Sequence, residues 1–193
     1  MGALVMPTDT KTALLDSAER AARSQGFDGF SYADLAEDVG IRKASIHHHF
    51  ATKAALSVAM MQRYRLGLES ACQQIDDTHT SGRDRLLALV GVYRDALRGG
   101  KSLCLCVSFS ASRASLHRDV IAEIKLFRLM MLKWITTVFE LGKSDGTIRG
   151  VSDPEREAAA ALSLLEGAQL AARAEEDMAL YEKALSLLLD RTH

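Results

Sequence analysis

The sequence predicts an all-α protein, and three observations carry that prediction. Ala, Leu, Glu, Lys and Arg dominate long stretches, and these residues lose little on entering a helix. Only two prolines, Pro7 and Pro154, interrupt the 193 residues. Aromatic residues make up 6% and β-branched residues rarely cluster, so no segment alternates with the period of two that marks a half-buried strand. At 48% hydrophobic, the chain suits one domain or a small head fused to a larger body, and disorder throughout is excluded.

About nine helices follow in order. Over 9–25, Ala13, Leu14, Ala18, Ala21 and Ala22 share one face, and Gly26 reads as the C-cap. Ser31 opens a short second helix: Ser-Tyr-Ala-Asp places an acceptor at the N-cap and a carboxylate three positions on. Leu35, Ala36 and Val39 form its inner face, and Gly40 follows before a third short helix over 42–49. Two short helices around a tight glycine turn read as a helix-turn-helix. Thr52 caps a long fourth helix to about residue 74, striped by Leu56, Met60, Tyr64 and Leu68, and 76–82 reads as a loop. The fifth helix covers about 83–98 before Gly99-Gly100, and the sixth 103–112. Val120, Ile124, Phe127, Met131, Trp134, Ile135 and Val138 signal a long seventh helix over 116–141, with Gly142 as its stop. Asp153-Pro154, an N-cap followed by proline at the first helical position, starts an eighth helix to about 174, and a last one spans 176–189. No repeat or low-complexity linker separates a head over 1–52 from a body over 53–193, so the two should meet through the fourth helix.

Charge nearly cancels, with 24 basic against 25 acidic residues, so overall balance points to no particular partner. Three cysteines, Cys72, Cys104 and Cys106, are too few and odd in number for a disulfide framework, which suits a reducing compartment. No apolar run approaches the roughly 20 residues of a spanning helix, and residues 1–6 lack the pattern of a signal peptide. A cytoplasmic protein without a membrane partner is the expectation. No catalytic triad, paired carboxylates at helical spacing, phosphate loop or metal-ligand spacing is present, so neither enzyme nor cofactor chemistry is expected.

Local charge says more. Between Asp38 and Glu69 no acidic residue occurs, while Arg42, Lys43, Lys53, Arg63 and Arg65 do, together with His47, His48 and His49. DNA carries one phosphate charge per roughly 1.7 Å of axis, and a near-neutral protein can bind it when its cations gather on one face. Charge alone fits a solvated basic face equally well, but the gap falls on the third helix. The second helix of a helix-turn-helix lies in the major groove, with short or polar side chains toward bases and cations toward phosphates. Arg42, Lys43, Ala44, Ser45, His47 and His48 meet that need. Ser31 and Tyr32, at the start of the preceding helix, join them as candidate DNA contacts. Consecutive helical residues point about 100° apart, so the three histidines cannot converge on one metal ion.

The stretch Ile41-Arg42-Lys43-Ala44-Ser45-Ile46-His47-His48-His49-Phe50, followed by Thr52-Lys53-Ala54-Ala55-Leu56, resembles the recognition helix and fourth-helix start of the TetR family of bacterial regulators. In that family the lysine matching Lys53 lies by the DNA backbone. Two positions depart from its pattern: His47 stands where tyrosine is usual, and Arg42 where a capping Ser or Thr is usual. The resemblance implies a homodimer on palindromic double-stranded operator DNA, released by an effector. Leu103-Cys104-Leu105-Cys106 is similar to the sixth helix of an electrophile-sensing subgroup, that of the N-ethylmaleimide reductase repressor, and Cys104 matches its sensing position. There Leu103 replaces the usual glycine and Ser112 an acidic residue. On a helix the two cysteines would face opposite sides, about 200° apart, and a buried thiol is the plainer reading. A reactive thiol needs exposure and a cation or helix N-terminus, for which Lys101, Arg113 and the helix start are candidates.

Tyr64, Phe109, Phe127, Met130, Met131, Trp134 and Gln169 have the apolar, sparsely polar character of a small-molecule pocket between helices four and eight, though any one of them also reads as ordinary core. Small and apolar faces on the last two helices, including Ala158, Ala161, Leu165, Ala168 and Leu185, fit a symmetric four-helix dimer interface. Two recognition helices would then reach half-sites about one helical turn apart. The sequence thus points to a DNA-binding repressor responding to an apolar or aromatic ligand or to cysteine modification. An activator or corepressor-dependent repressor of the same fold stays open, as does a helical small-molecule carrier or enzyme.

Overall fold

The computed structural model describes residues 9–192, and the reading of residues 1–6 lies outside them. Among the described residues nine α-helices form: α1 (Thr10–Gln25), α2 (Tyr32–Val39), α3 (Lys43–His49), α4 (Lys53–Thr78), α5 (Gly82–Ala96), α6 (Leu105–Ala111), α7 (Arg118–Ser144), α8 (Pro154–Glu175) and α9 (Met178–Leu189). Two 3-10 turns, Phe27–Gly29 and Arg113–Ser115, were not expected from the sequence. One isolated antiparallel bridge joins Ile148 to Thr192.

Local chemistry starts these helices. Ser31 accepts from the backbone N–H groups of Ala33 and Asp34, and the Asp34 carboxylate accepts from Ser31 N at 2.7 Å, which completes a capping box on α2. Thr52 caps α4, Ser81 caps α5, Asp153 caps α8 ahead of Pro154, and Asp177 caps α9. A cap of this kind contributes about 1 kcal/mol. Gly40 ends α2 in the left-handed conformation, φ 73°, and this sharp reversal sets α3 across α2.

The long α7 is the axis of the body. It packs against α4, α5 and α8, and α9 packs on α8. The buried core runs through both ends of the chain, from Leu14, Leu35 and Ile46 to Leu165, Tyr181 and Leu185. Head and body meet through α4, as expected, and also through α1 against α6.

Several boundaries differ from the sequence reading. α4 continues to Thr78 because Cys72 and Ile75 extend its buried stripe, which shortens the loop to residues 79–81. α5 ends at Ala96 and α6 begins only at Leu105, leaving Cys104 as its N-cap. Gly142 does not stop α7: the helix runs through it to Ser144, and Gly142 is buried against the start of α5. A Cβ added to Gly82 would lie 2.3 Å from Gly142 Cα and 2.9 Å from Val138 O, so hydrogen at Gly82 permits backbone-to-backbone contact of α5 with α7. Asp145 braces the same corner by accepting from Gly82 N at 2.8 Å.

Gly82→Ala should therefore lower stability by about 1–3 kcal/mol, since backbone cannot yield as a side-chain tip can. Gly67→Ala, in exposed α4 with nothing near the added methyl, should raise stability by about 0.5–1 kcal/mol. Urea denaturation of the two variants checks both signs.

Candidate DNA-reading face and core thiol site

α3 presents Arg42, Lys43, Ala44, His47 and His48 to solvent, with Ser45 and His49 half-buried and Ile46 fully buried as its anchor. Arg42 occupies the N-cap position but makes no side-chain cap, so its guanidinium stays on the surface. His47 stacks on the Tyr32 ring at 5.0 Å, and its Nδ1 lies 3.3 Å from Ala51 O. Ser31, Tyr32, Lys43, His47 and Lys53 border one shallow hollow between α2, α3 and α4.

Two of the residues expected at DNA turn inward. Tyr32 is buried and its hydroxyl donates to Phe50 O at 2.9 Å, closing the helix-turn-helix on itself. Burial pushes its phenol up to about 12. Lys53 donates to Phe30 O at 2.6 Å, with its ammonium 4.1 Å and 4.6 Å from the ring centroids of Phe30 and Phe27. A cation seated on two aromatic faces gains from their quadrupoles. Burial lowers its pKa, against smaller opposing pulls from Asp28 and Asp34. The physical reason is common to both: a long side chain at a helix start can fold back onto the head's own core, where its polar tip meets an open carbonyl.

The body shows the same inward pull. Phe109, Phe127, Met131 and Gln169 are fully buried in packed core. These rings pack on one another and on the head: Tyr64 and Phe127 lie with centroids 5.7 Å apart, Phe109 meets Phe27 edge-on at 5.4 Å, and Tyr64 also borders an open cavity of about 420 Å³ beside Arg23 and Arg63. Trp134 lies elsewhere. Its Nε1 donates to Asp76 Oδ2 at 2.9 Å, and it lines an open groove of about 620 Å³ between α4 and α7 with Met130, Leu126, Leu129 and Cys72.

Cys104 and Cys106 are both buried, at 1% and 0% exposure. Opposite facing does not follow, because Cys104 caps α6 while Cys106 lies within it. Cys104 is held by its backbone: its N–H donates to Gln169 Oε1 at 3.0 Å, and Gln169 Nε2 donates to Tyr93 O at 2.7 Å. Burial raises the Cys104 thiol above its ordinary range, while Tyr64 and the N–H groups of Val107 and Cys106 pull less strongly the other way. The helix start does help, as expected, but burial outweighs it. Lys101 and Arg113 stay exposed, whereas the thiol they were expected to activate is buried. Burial also raises Cys106, and it pushes Cys72 up to about 12.

Sequence reading missed the polar partners around this thiol. Glu166 pairs with Arg128 at 2.5 Å, and the second Glu166 oxygen and the Tyr93 hydroxyl are buried without hydrogen-bond partners among the described residues. It also missed Arg23. Arg23 Nε donates to Leu103 O at 2.8 Å and Nη2 to Ala96 O at 2.9 Å, while Leu103 N donates back to Arg23 O at 2.9 Å. Ser108 Oγ donates to Ala22 O beside this pair, so the start of α6 is bound to the end of α1. Arginine at the end of a helix reads as dipole complement, and nothing in its local pattern signals partners 73 and 80 residues away.

A capped three-helix head with a basic, acid-free α3 surface on a helical body defines a helix-turn-helix DNA-binding protein. Residues 14–60 match the model of the bacterial regulatory proteins, tetR family. The HTH-type transcriptional repressor NemR of Escherichia coli K12 is 27% identical over 187 residues, covering 92% of this chain and 91% of that protein. The structure of a TetR-family transcriptional regulator from Agrobacterium tumefaciens superposes with a TM-score of 0.91 at 26% identity, over 97% of this chain and 99% of that one. The HTH-type transcriptional activator FasR of Mycolicibacterium smegmatis is 30% identical over 91 residues, 47% of this chain and 42% of that protein. Residues 14–60 thus match the DNA-binding region of the TetR family, and over nearly its whole length the chain is similar to transcriptional regulators of that family. No helix among the described residues is long and apolar enough to cross a membrane.

Raised thiols carry a sign for pH. Above about pH 9 the unfolded chain releases thiol protons that the folded chain retains, so stability falls as pH rises. Thermal midpoints should drop between pH 9 and 10.5, and the drop should be shallower in Cys72→Ser. Tyr32→Phe strands the Phe50 carbonyl and should cost about 1–3 kcal/mol at neutral pH, again read by urea denaturation.

Proposed function

We propose that the protein is a homodimeric repressor that binds a palindromic operator through α3 and leaves it when Cys104 is modified. In this reading residues 1–52 form the DNA-reading head and 53–193 the sensing and dimerising body. The observation that carries it is the position of Cys104: it is the N-cap residue of the short helix whose start is hydrogen-bonded to α1 of the head. The repressor sign follows NemR, similar over nearly the whole chain, whereas the activator FasR is similar over less than half.

Arg42, Lys43, His47 and His48 would meet phosphates and base edges from α3, with Ala44 and Ser45 short enough to let the helix approach, and Ser31 would reach a phosphate from the start of α2. Ala158, Ala161, Leu165, Ala168 and Leu185, expected at the dimer face, are buried within the chain's own core, so the support for α8 and α9 as that face comes from the exposed Leu170 and Leu187, at 47% and 75%. Leucines left open on adjacent helices gain roughly 25 cal/mol per Å² when a second copy covers them.

Cys104 reacts only after a transient opening, because its thiol is buried and its pKa raised. Once the thiol has added across an activated C=C bond, with sulfur on one carbon and the thiol's proton on the other, the adduct no longer fits among Tyr64, Tyr93 and Gln169. Overpacking of a close-packed core costs about 1–3 kcal/mol, and displacement of α6 relieves it. That displacement pulls on Leu103 and Ser108 and hence on α1, which turns the heads out of register. Coupling of this kind is reciprocal, so operator DNA slows the modification by favouring the closed body. A second effector seat is favoured by one observation, the open groove beside Trp134 and Met130, whose mixed apolar and polar lining suits an aromatic ligand.

Fluorescence anisotropy with DNA from beside the gene tests both halves. Arg42→Ala and Lys43→Ala should each weaken binding and flatten the salt dependence by about one unit of log–log slope. N-ethylmaleimide should release wild-type protein and leave Cys104→Ser bound. Release of the serine variant at the wild-type rate would exclude this thiol as the sensor.

A further inference from the structure

Beside the Arg23 contacts lies a cavity of about 490 Å³ between α1, the middle of α4 and the turn over residues 98–102. Five cations line it: Arg20, Arg23, Arg63, Arg98 and Lys101. Two carboxylates face them, Asp16 and Glu19, and both are engaged. Arg63 takes Asp16 at 2.6 Å and Glu19 at 2.8 Å, and Arg23 takes the other Glu19 oxygen at 3.3 Å. Arg20 is paired with Asp38 on the outer rim at 2.7 Å. Arg98 and Lys101 have no carboxylate partner among the described residues, and the hydroxyls of Ser24 and Ser102 complete the lining.

Arg98 is held there in an unusual way. It follows the end of α5 with φ 46°, in the left-handed region where glycine is the common residue. Gly99 and Gly100 come immediately after, also at positive φ, and a Cβ at Gly100 would press on the Glu176 backbone at 3.0 Å. The chain thus keeps a long cationic side chain at a position whose backbone favours none. Backbone strain of this kind gathers where a side chain is needed in one place.

We propose that this cavity is a binding site for a small polyanion bearing phosphoryl or carboxylate groups. Arg98 and Lys101 supply the charge the built-in acids leave uncompensated, with Arg23 and Arg63 as the inner wall. Guanidinium groups suit such groups because their planar N–H forks match two oxygens at once. An anion held between α1 and the 98–102 turn bridges the same two segments that Arg23 joins, so occupancy tightens the head on the body. The site is separate from the Cys104 thiol and needs neither DNA nor an electrophile to fill.

The test is calorimetric titration of the full chain, free of DNA, with inorganic pyrophosphate and in parallel with citrate, at fixed ionic strength. Saturable binding is expected, and the tighter of the two names the group recognised; equal binding shows that the site reads charge alone. Arg98→Gly with Lys101→Gln should weaken binding at least tenfold. Both side chains are exposed and glycine suits the backbone at 98, so the fold is retained, which circular dichroism verifies. Arg83→Gln with Arg118→Gln, remote surface cations, should bind as wild type. Absence of saturable binding to either anion, or unchanged affinity in the 98/101 variant, would overturn the proposal.

Discussion

The fold depends on one side chain more than on any other: the Arg23 guanidinium, which leaves α1 and donates to two carbonyls of the body. Ala96 O lies at the last turn of α5 and Leu103 O just before α6, so one planar fork fixes the spacing between consecutive body helices and binds both to the head. Its donors are mostly sheltered from solvent, and Glu19 and the Tyr64 ring occupy its remaining sides. Carbonyls at helix ends have no partners within their own helix, and a buried end without donors is costly. Arg23 therefore satisfies the body and orients the head at once. Ser108 and Arg173, bonded to Ala22 O and Ser24 O, extend the same seam along the end of α1.

Most of the fold was legible because helices announce themselves locally. The Ser31 capping box, the Asp153-Pro154 start and the apolar stripe of α7 each depend on residues within a few positions of one another, and each is present as read. The misreadings share a cause. Gly142 has the character of a helix stop, and only the backbone of Gly82, 60 residues earlier, reveals it as a contact point inside α7. Likewise the 97–104 link read partly as helix, since nothing local tells that its carbonyls are spoken for by Arg23. Distance in sequence, not weakness of pattern, hides such facts.

The candidate site divides along the same line. Exposed α3 positions were readable because a short helix with one buried anchor, Ile46, must turn its other faces outward. Tyr32 and Lys53 were not, because amphipathic side chains can lie with either end in water, and the carbonyls that receive them, Phe50 O and Phe30 O, belong to other segments. Around Cys104 the sequence marked the thiol and Gln169 but gave no sign that Tyr93 and Glu166 would be buried beside it with polar atoms unpaired. Such atoms are expensive in a core.

The acid-free stretch has a further consequence, for the approach to DNA rather than the bound state. The thirty residues 39–68 hold five positive charges and no negative ones within a chain whose formal net is -1, so the remaining residues carry the surplus acid. The positive charge is therefore local to α3 and the first half of α4, while residues 1–38 carry seven acids against three bases. A polyanion is drawn to α3 and repelled by the acidic residues that precede it, so the encounter favours α3 leading. Shielding reaches about 8 Å at physiological salt, which confines this steering to the last moments before contact. Near-zero net charge then becomes useful: it limits long-lived capture by arbitrary polyanions while leaving the encounter aligned.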